Sequence, residues 1–255
     1  FHEAPSNQGG ITIRNNIIEN AIYGFFGSGN NSQGSSNNQI ANNLFNNNTE
    51  YGIDFNNSYY SNVTNNVIES TKRGIYSENS SKPEATGSVE WKDNDISASR
   101  TGIWYNLAYG TATSLTIEDN TINVEDDSAI SRWDGIWLTS LGGSIDPVIK
   151  NNIITGGIVS QQTNGYNLWN NDTSAPNGIV LEGGSVTDVE YGVWINNFEG
   201  YPTNTGSDAN STTALIQNMT IDNTSTAGVY IHDNPANSNG LTAFVDATIL
   251  NNSID

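Results

Sequence analysis

Nine times along this chain one six-residue pattern recurs: an apolar residue, any residue, Asn or Asp, Asn, any residue, an apolar residue. Its clearest copy runs from Val63 to Ile68 (VTNNVI). Others start at Ile13, Ile40, Trp91, Ile117 and Ile149, degenerate at Leu181 (LEGGSV) and Ile216 (IQNMTI), and become regular again at Ile249. The copies begin 23 to 35 residues apart. A period of this size over a whole chain specifies a solenoid, in which each repeat buries its apolar face only against its neighbours.

A second element follows nearly every copy: a Gly and a short apolar-rich run. It reads GIDF at Gly52, GIYS at Gly74, GIWY at Gly102, GIWL at Gly135, GVWI at Gly192 and GVYI at Gly228, with looser versions at Gly24 and Gly165. A β-branched and aromatic run after a Gly predicts a β-strand entered through a tight bend. No stretch keeps a helical period. Two or three short strands per repeat predict an all-β parallel β-helix of about eight to nine coils, stacked about 4.8 Å apart. Residues 1–255 then form one solenoid domain. Its motif asparagines (Asn16, Asn43, Asn66, Asn94, Asn120, Asn152 and Asn252) fall in one column and should form an inward amide ladder, each side chain bonding the next.

On these repeats the chain resembles the right-handed parallel β-helix superfamily, which includes pectate-lyase-like enzymes and many bacterial surface proteins. The resemblance covers nearly the whole chain and speaks to fold rather than activity.

Composition narrows the partners. Eight Lys and Arg stand against 27 Asp and Glu, a net charge of −19. That excludes nucleic acid and anionic membrane surfaces as favoured partners and leaves divalent cations and neutral surfaces. No stretch reaches the ~18 apolar residues of a transmembrane helix, so no membrane insertion is expected. Cysteine is absent. Stability must therefore come from stacked strands and ladders rather than disulfides. The chain starts at Phe1 and stops within its ninth motif, which reads as a piece of a larger secreted protein. The expected location is extracellular or at the cell surface.

The position two residues after each strand Gly holds Phe26, Asp54, Tyr76, Trp104, Trp137, Asn167, Trp194 and Tyr230. The residue before it is mostly aliphatic and should point inward, so strand alternation turns this one outward. The aromatic members Phe26, Tyr76, Trp104, Trp137, Trp194 and Tyr230 then make an outward stripe, and soluble proteins rarely leave a long one uncovered. Such a stripe could stack sugar rings, form a seam with another protein, lie under long corner loops such as Asn197 to Thr213, or reflect only the preference of aromatics for strands.

Basic residues cluster as well. Lys72, Arg73, Arg100 and Arg132 precede three successive strand glycines, and Lys72 and Arg100 share a column with Glu50. The superfamily's polysaccharide lyases set a Lys or Arg base beside an Arg and a carboxylate-bound Ca²⁺ to remove the proton next to a uronate carboxylate. The resemblance would give Lys72 the role of base and Arg100 that of charge neutraliser. Asp93, Asp95, Glu118 and Asp119 are then candidate Ca²⁺ ligands. The plainer reading is a Glu50–Lys72 ion pair across coils. Tyr51 to Asp54 (YGID) is similar to the Tyr-Gly-Phe-Asp motif of mannuronan epimerases. Phe55 and Asn56, however, stand where that motif continues with Pro and a catalytic His.

The expected function is structural or adhesive: a rod of a surface protein or a fibre subunit, associating with itself or a neighbouring surface protein through the aromatic column. No catalytic residue and no cofactor are required. The alternative is a β-helix that binds or cleaves an extracellular polysaccharide, with Lys72 and Arg100 catalytic and Ca²⁺ as a compatible cofactor.

Overall fold

The computed structural model describes residues 2–3, 11–28, 38–56, 61–78, 88–106, 114–125, 132–139, 147–157, 162–170, 178–197, 211–233 and 244–255. Every described element is a strand, and every pairing between strands is parallel. The strands ending at the Asn motif build one nine-stranded sheet, from Thr12–Arg14 through Asn38–Ala41, Ser61–Thr64 and onward to Phe244–Leu250. The residues after the motif and the Gly-containing runs build a second, 14-stranded sheet. In four coils these two parts fuse into one bent strand: Val67–Glu78, Asp95–Asn106, Ser185–Asn197 and Thr220–Asp233.

The motif is the corner between the sheets. Its third residue takes a left-handed backbone in all nine copies: Asn15, Asn42, Asn65, Asp93, Asp119, Asn151, Gly183, Asn218 and Asn251, with φ between 51° and 68°. Asn, Asp and Gly are the residues that tolerate this region, so the composition of this position follows from the bend. Its fourth residue carries the ladder. Asn16 donates its Nδ2 to Asn43 Oδ1 at 3.1 Å, and the chain continues through Asn66, Asn94 and Asn120 to Asn152 at 2.9–3.1 Å per step. Each acceptor oxygen also takes the backbone N–H of the preceding Asn, as Asn94 Oδ1 does from Asn66 at 3.1 Å. Each interior amide also donates to a carbonyl one coil back, as Asn94 does to Val63 O at 2.9 Å.

The ladder differs from expectation at both ends. Asn16 makes its bonds but is exposed, because it lies in the first described coil. Asn252 has no amide neighbour, since Gly184 and Met219 occupy the two intervening places. Asn252 instead accepts from Met219 N and donates to Ile216 O, both at 2.9 Å. Above Asn152, the buried Tyr166 hydroxyl bonds its side chain where Gly184 offers none.

Inward residues stack in like columns. Ile40, Val63, Trp91, Ile117, Ile149, Leu181 and Ile216 form one, and Phe45, Ile68, Ile96, Ile122, Ile154, Val186 and Ile221 another, all buried. The strand glycines sit against this second column. An added Cβ at Gly102 would overlap the Ile122 Cγ2 methyl and come 2.7 Å from Gly135 O, and the others are placed alike. The run of Gly is therefore a packing requirement.

Candidate functional site

Backbone register places the predicted outward residues in one column, coil by coil: Phe26, Asp54, Tyr76, Trp104, Trp137, Asn167, Trp194, Tyr230. A second column lies on the same face, one residue before each Gly: Tyr23, Tyr51, Arg73, Thr101, Asp134, Asn164, Tyr191. Alternation assigns that residue inward. It turns outward because Gly, pressed against the core column, interrupts the alternation.

The rings do not project singly. They stack on one another, with Tyr23 on Tyr51 (5.2 Å, 4°) and Trp104 on Trp137 (4.3 Å, 12°). Tyr76 meets Trp104 edge-on, and Tyr191, Trp194 and Tyr230 form a group further along. Trp104, Trp137 and Trp194 are half-buried and Tyr230 is exposed. Tyr76 departs from expectation: it is buried, walled by Tyr51 and Trp104 with Arg73 over it. The loop from Asn197 to Thr213 lies mostly outside the described residues.

Two arginines lie across the rings. The Arg73 guanidinium sits 5.0 Å from the Tyr51 ring centre and 5.7 Å from Tyr76, and donates to Tyr51 Oη at 2.7 Å. Burial raises the Tyr51 phenol above its ordinary pKa, against the lowering effect of Arg73. Arg132 covers Trp137 (4.8 Å), Trp169 (5.7 Å) and Trp194 (5.9 Å). Such contacts contribute about 0.5–2 kcal/mol each, more where water is excluded.

Under Arg132 lies the most polar part of the face. Asp134 Oδ1 accepts from Asn164 Nδ2 at 2.7 Å and Asn167 Nδ2 at 3.0 Å, and all three side chains are buried. Arg132 reaches Asp134 only at 3.4 Å. Burial raises the Asp134 pKa above the ordinary carboxylate value, opposed by Arg132, the Asn164 hydrogen bond and Arg100. A carboxyl with a raised folded-state pKa favours folding at low pH, and that contribution is lost as pH rises through the folded pKa. Asp134→Asn keeps the Oδ1 acceptor and removes the charge. Its thermal midpoint is expected to match the parent's at low pH and to exceed it increasingly as pH rises through the folded-state pKa of Asp134. A variant less stable than the parent at neutral pH would contradict the burial argument.

Lys72 is ion-paired to Glu50 at 2.5 Å across coils, as the plainer reading expects, and Arg100 is exposed. Asp93 and Asp119 are the left-handed corner residues, and Glu118 pairs with Lys92 at 3.3 Å. Among the described residues no group of three or more His, Asp or Glu is placed to hold a metal, and no helix is long and apolar enough to cross a membrane. Reading the sequence missed Arg73, Asp134, Gln162, Asn164 and Trp169 as members of this face. A signal was available for Arg73, Asp134 and Asn164, each one residue before a strand Gly, but Gln162 and Trp169 share no such offset.

A family described as the right-handed β-helix region matches residues 4–122. No curated protein and no solved structure matches the chain. The family match over residues 4–122, and the parallel solenoid that continues through the later coils, support a right-handed parallel β-helix fold.

Proposed function

We propose that this chain is an extracellular structural or adhesive β-helix, a stiff rod that meets its neighbour through the aromatic sheet face. One observation carries the reading: two runs of packed rings lie along one sheet face, one through Tyr76, Trp104 and Trp137 and one through Tyr191, Trp194 and Tyr230, with Trp104, Trp137 and Trp194 half-exposed and Tyr230 exposed. Trp, Tyr and Arg are the residues that dominate protein interfaces, and this face combines all three. Stacking has already ordered the rings, so little side-chain entropy remains to be lost on contact. The partner in this reading is a second copy or an adjoining surface protein. Replacing Trp104 and Trp137 together with Ser leaves the inward columns untouched. The double variant is expected to keep its β circular-dichroism spectrum and to self-associate at least about tenfold more weakly in sedimentation experiments. Association equal to the parent's would remove the main support for the reading.

A second reading, a β-helix that binds polysaccharide, is favoured by the hydrogen-bonded Asp134–Asn164–Asn167 group beneath a tryptophan-rich rim. Support for lyase chemistry is weaker, because Glu50 holds the Lys72 ammonium as an ion pair.

A further inference from the structure

Four buried polar atoms without hydrogen-bond partners lie near one another on this face, apart from Trp133 Nε1 in the core and Arg73 Nε further along. On the strands Arg132–Thr139, Gln162–Asn170 and Ser185–Asn197, the Trp137 Nε1, Gln162 Nε2, Asn164 Oδ1 and Trp194 Nε1 atoms are buried and bonded to nothing. Native proteins satisfy nearly all such groups, so a cluster of them asks for an occupant. Register unites the four. Gln162 lies beside Arg132, Asn164 beside Asp134, and Asn167 between Trp137 and Trp194. The Asn167–Asp134 bond joins the two columns.

The inventory is three N–H donors and one amide oxygen, set around a carboxyl that already accepts two amides. An occupant must therefore offer acceptors to Trp137, Gln162 and Trp194 and a donor to Asn164. Hydroxyl groups do both, each with one donor and two lone pairs. An anionic ligand suits the patch poorly, since Asp134 lies at its centre and the chain carries a charge of −19. The cover is adjustable. Arg132 spans the tryptophan rings but touches Asp134 at only 3.4–3.5 Å, the long limit of a hydrogen bond, so an incoming hydroxyl can replace that contact.

We propose that Trp137, Gln162, Asn164 and Trp194, with Arg132 as a movable cover over Asp134, form a binding subsite for the hydroxyl groups of a neutral sugar chain. The inference rests on the polysaccharide-binding reading and adds to it a place and a ligand class.

Two substitutions each delete one unpartnered donor and break no hydrogen bond that the structure shows: Gln162→Met, and Trp137→Phe, which keeps a ring against Trp104 and under Arg132. A purely structural role predicts a change in thermal midpoint alone and no change in ligand binding. The probes are cellotetraose, mannotetraose and, as an acidic comparator, tetragalacturonate, titrated to millimolar concentration against the intact chain while tryptophan fluorescence is followed. At least one neutral probe is expected to saturate and tetragalacturonate to bind more weakly. Each variant is expected to bind the neutral probe about tenfold less tightly with its thermal midpoint retained. Binding that both variants keep at parental strength would overturn the subsite and leave the polysaccharide reading standing. No saturation by any probe would overturn both. Preference for tetragalacturonate would overturn the neutral ligand class.

Discussion

Replacing Asn94 with Ala is expected to lower stability by about 3–5 kcal/mol, because one side chain serves four buried hydrogen bonds. Its Nδ2 donates to Val63 O and Asn120 Oδ1, both at 2.9 Å, and its Oδ1 accepts from Asn66 N and Asn66 Nδ2, both at 3.1 Å. Ala removes all four. Water cannot substitute, since Asn66, Asn94 and Asn120 are each buried, at 1% exposure. Asn94→Asp keeps the shape but loses both donors and adds a buried charge, so it should cost at least as much. Asn123→Ala, at an exposed strand position, should stay within about 0.5 kcal/mol. Denaturant unfolding of the three variants against the parent makes the comparison. A loss below about 1 kcal/mol for Asn94→Ala would mean that the ladder follows from the coil stacking and adds nothing to it.

The corner was legible because two physical demands fall on adjacent residues. The bend needs a residue tolerant of positive φ, and the interior needs an amide that can donate and accept along the axis. Asn-Asn meets both, and Gly183-Gly184 meets only the first. The ladder accordingly stops at Asn152, while the bend persists. The outward aromatic column was legible for a simpler reason: its offset from Gly is constant and strand alternation holds beyond that Gly. What lay hidden was the column one residue before Gly. Alternation fails there, so Asp134 and Asn164 read as interior residues and Arg73 only as one of a basic cluster. The stacking was hidden too. An outward residue at 4.8 Å coil spacing meets its own neighbours before it meets a partner, and so Tyr76 ends buried and Trp104 covers Trp137. Much of the aromatic surface that appeared available for contact therefore contributes to holding coils together, and the exposed remainder is edges of rings and the rim around Asp134.

Gly102→Ala is expected to destabilise by at least about 3 kcal/mol, with Gly102→Val worse still. The new methyl would overlap the Ile122 Cγ2 methyl, whose side chain is fixed in the core column, and lie 2.7 Å from the Gly135 carbonyl oxygen of the next coil. Neither neighbour can give way alone. Ile122 is 1% exposed, with Ile96 and Ile154 of the same column beside it in register. The Gly135 carbonyl belongs to a strand paired on both sides, to Asp95–Asn106 and to Gln162–Asn170. Relief therefore requires two coils to move apart, which weakens ladder bonds along the whole strand. Backbone freedom is not the cause, since Gly102 has no positive φ, so the penalty should track side-chain volume. The companion change Ile122→Leu in the Gly102→Ala background tests this directly. Leu carries no branch at Cβ, so the crowded Cγ2 methyl is gone while the side-chain volume is kept, and it should restore part of the lost stability, although an Ile→Leu swap alone costs up to about 1.5 kcal/mol in a core. Thermal and denaturant unfolding of the single and double variants give the coupling energy. A Gly102→Ala loss under about 1 kcal/mol, or strictly additive effects in the pair, would show that the glycine column tolerates a side chain and that the repeat of Gly has another origin.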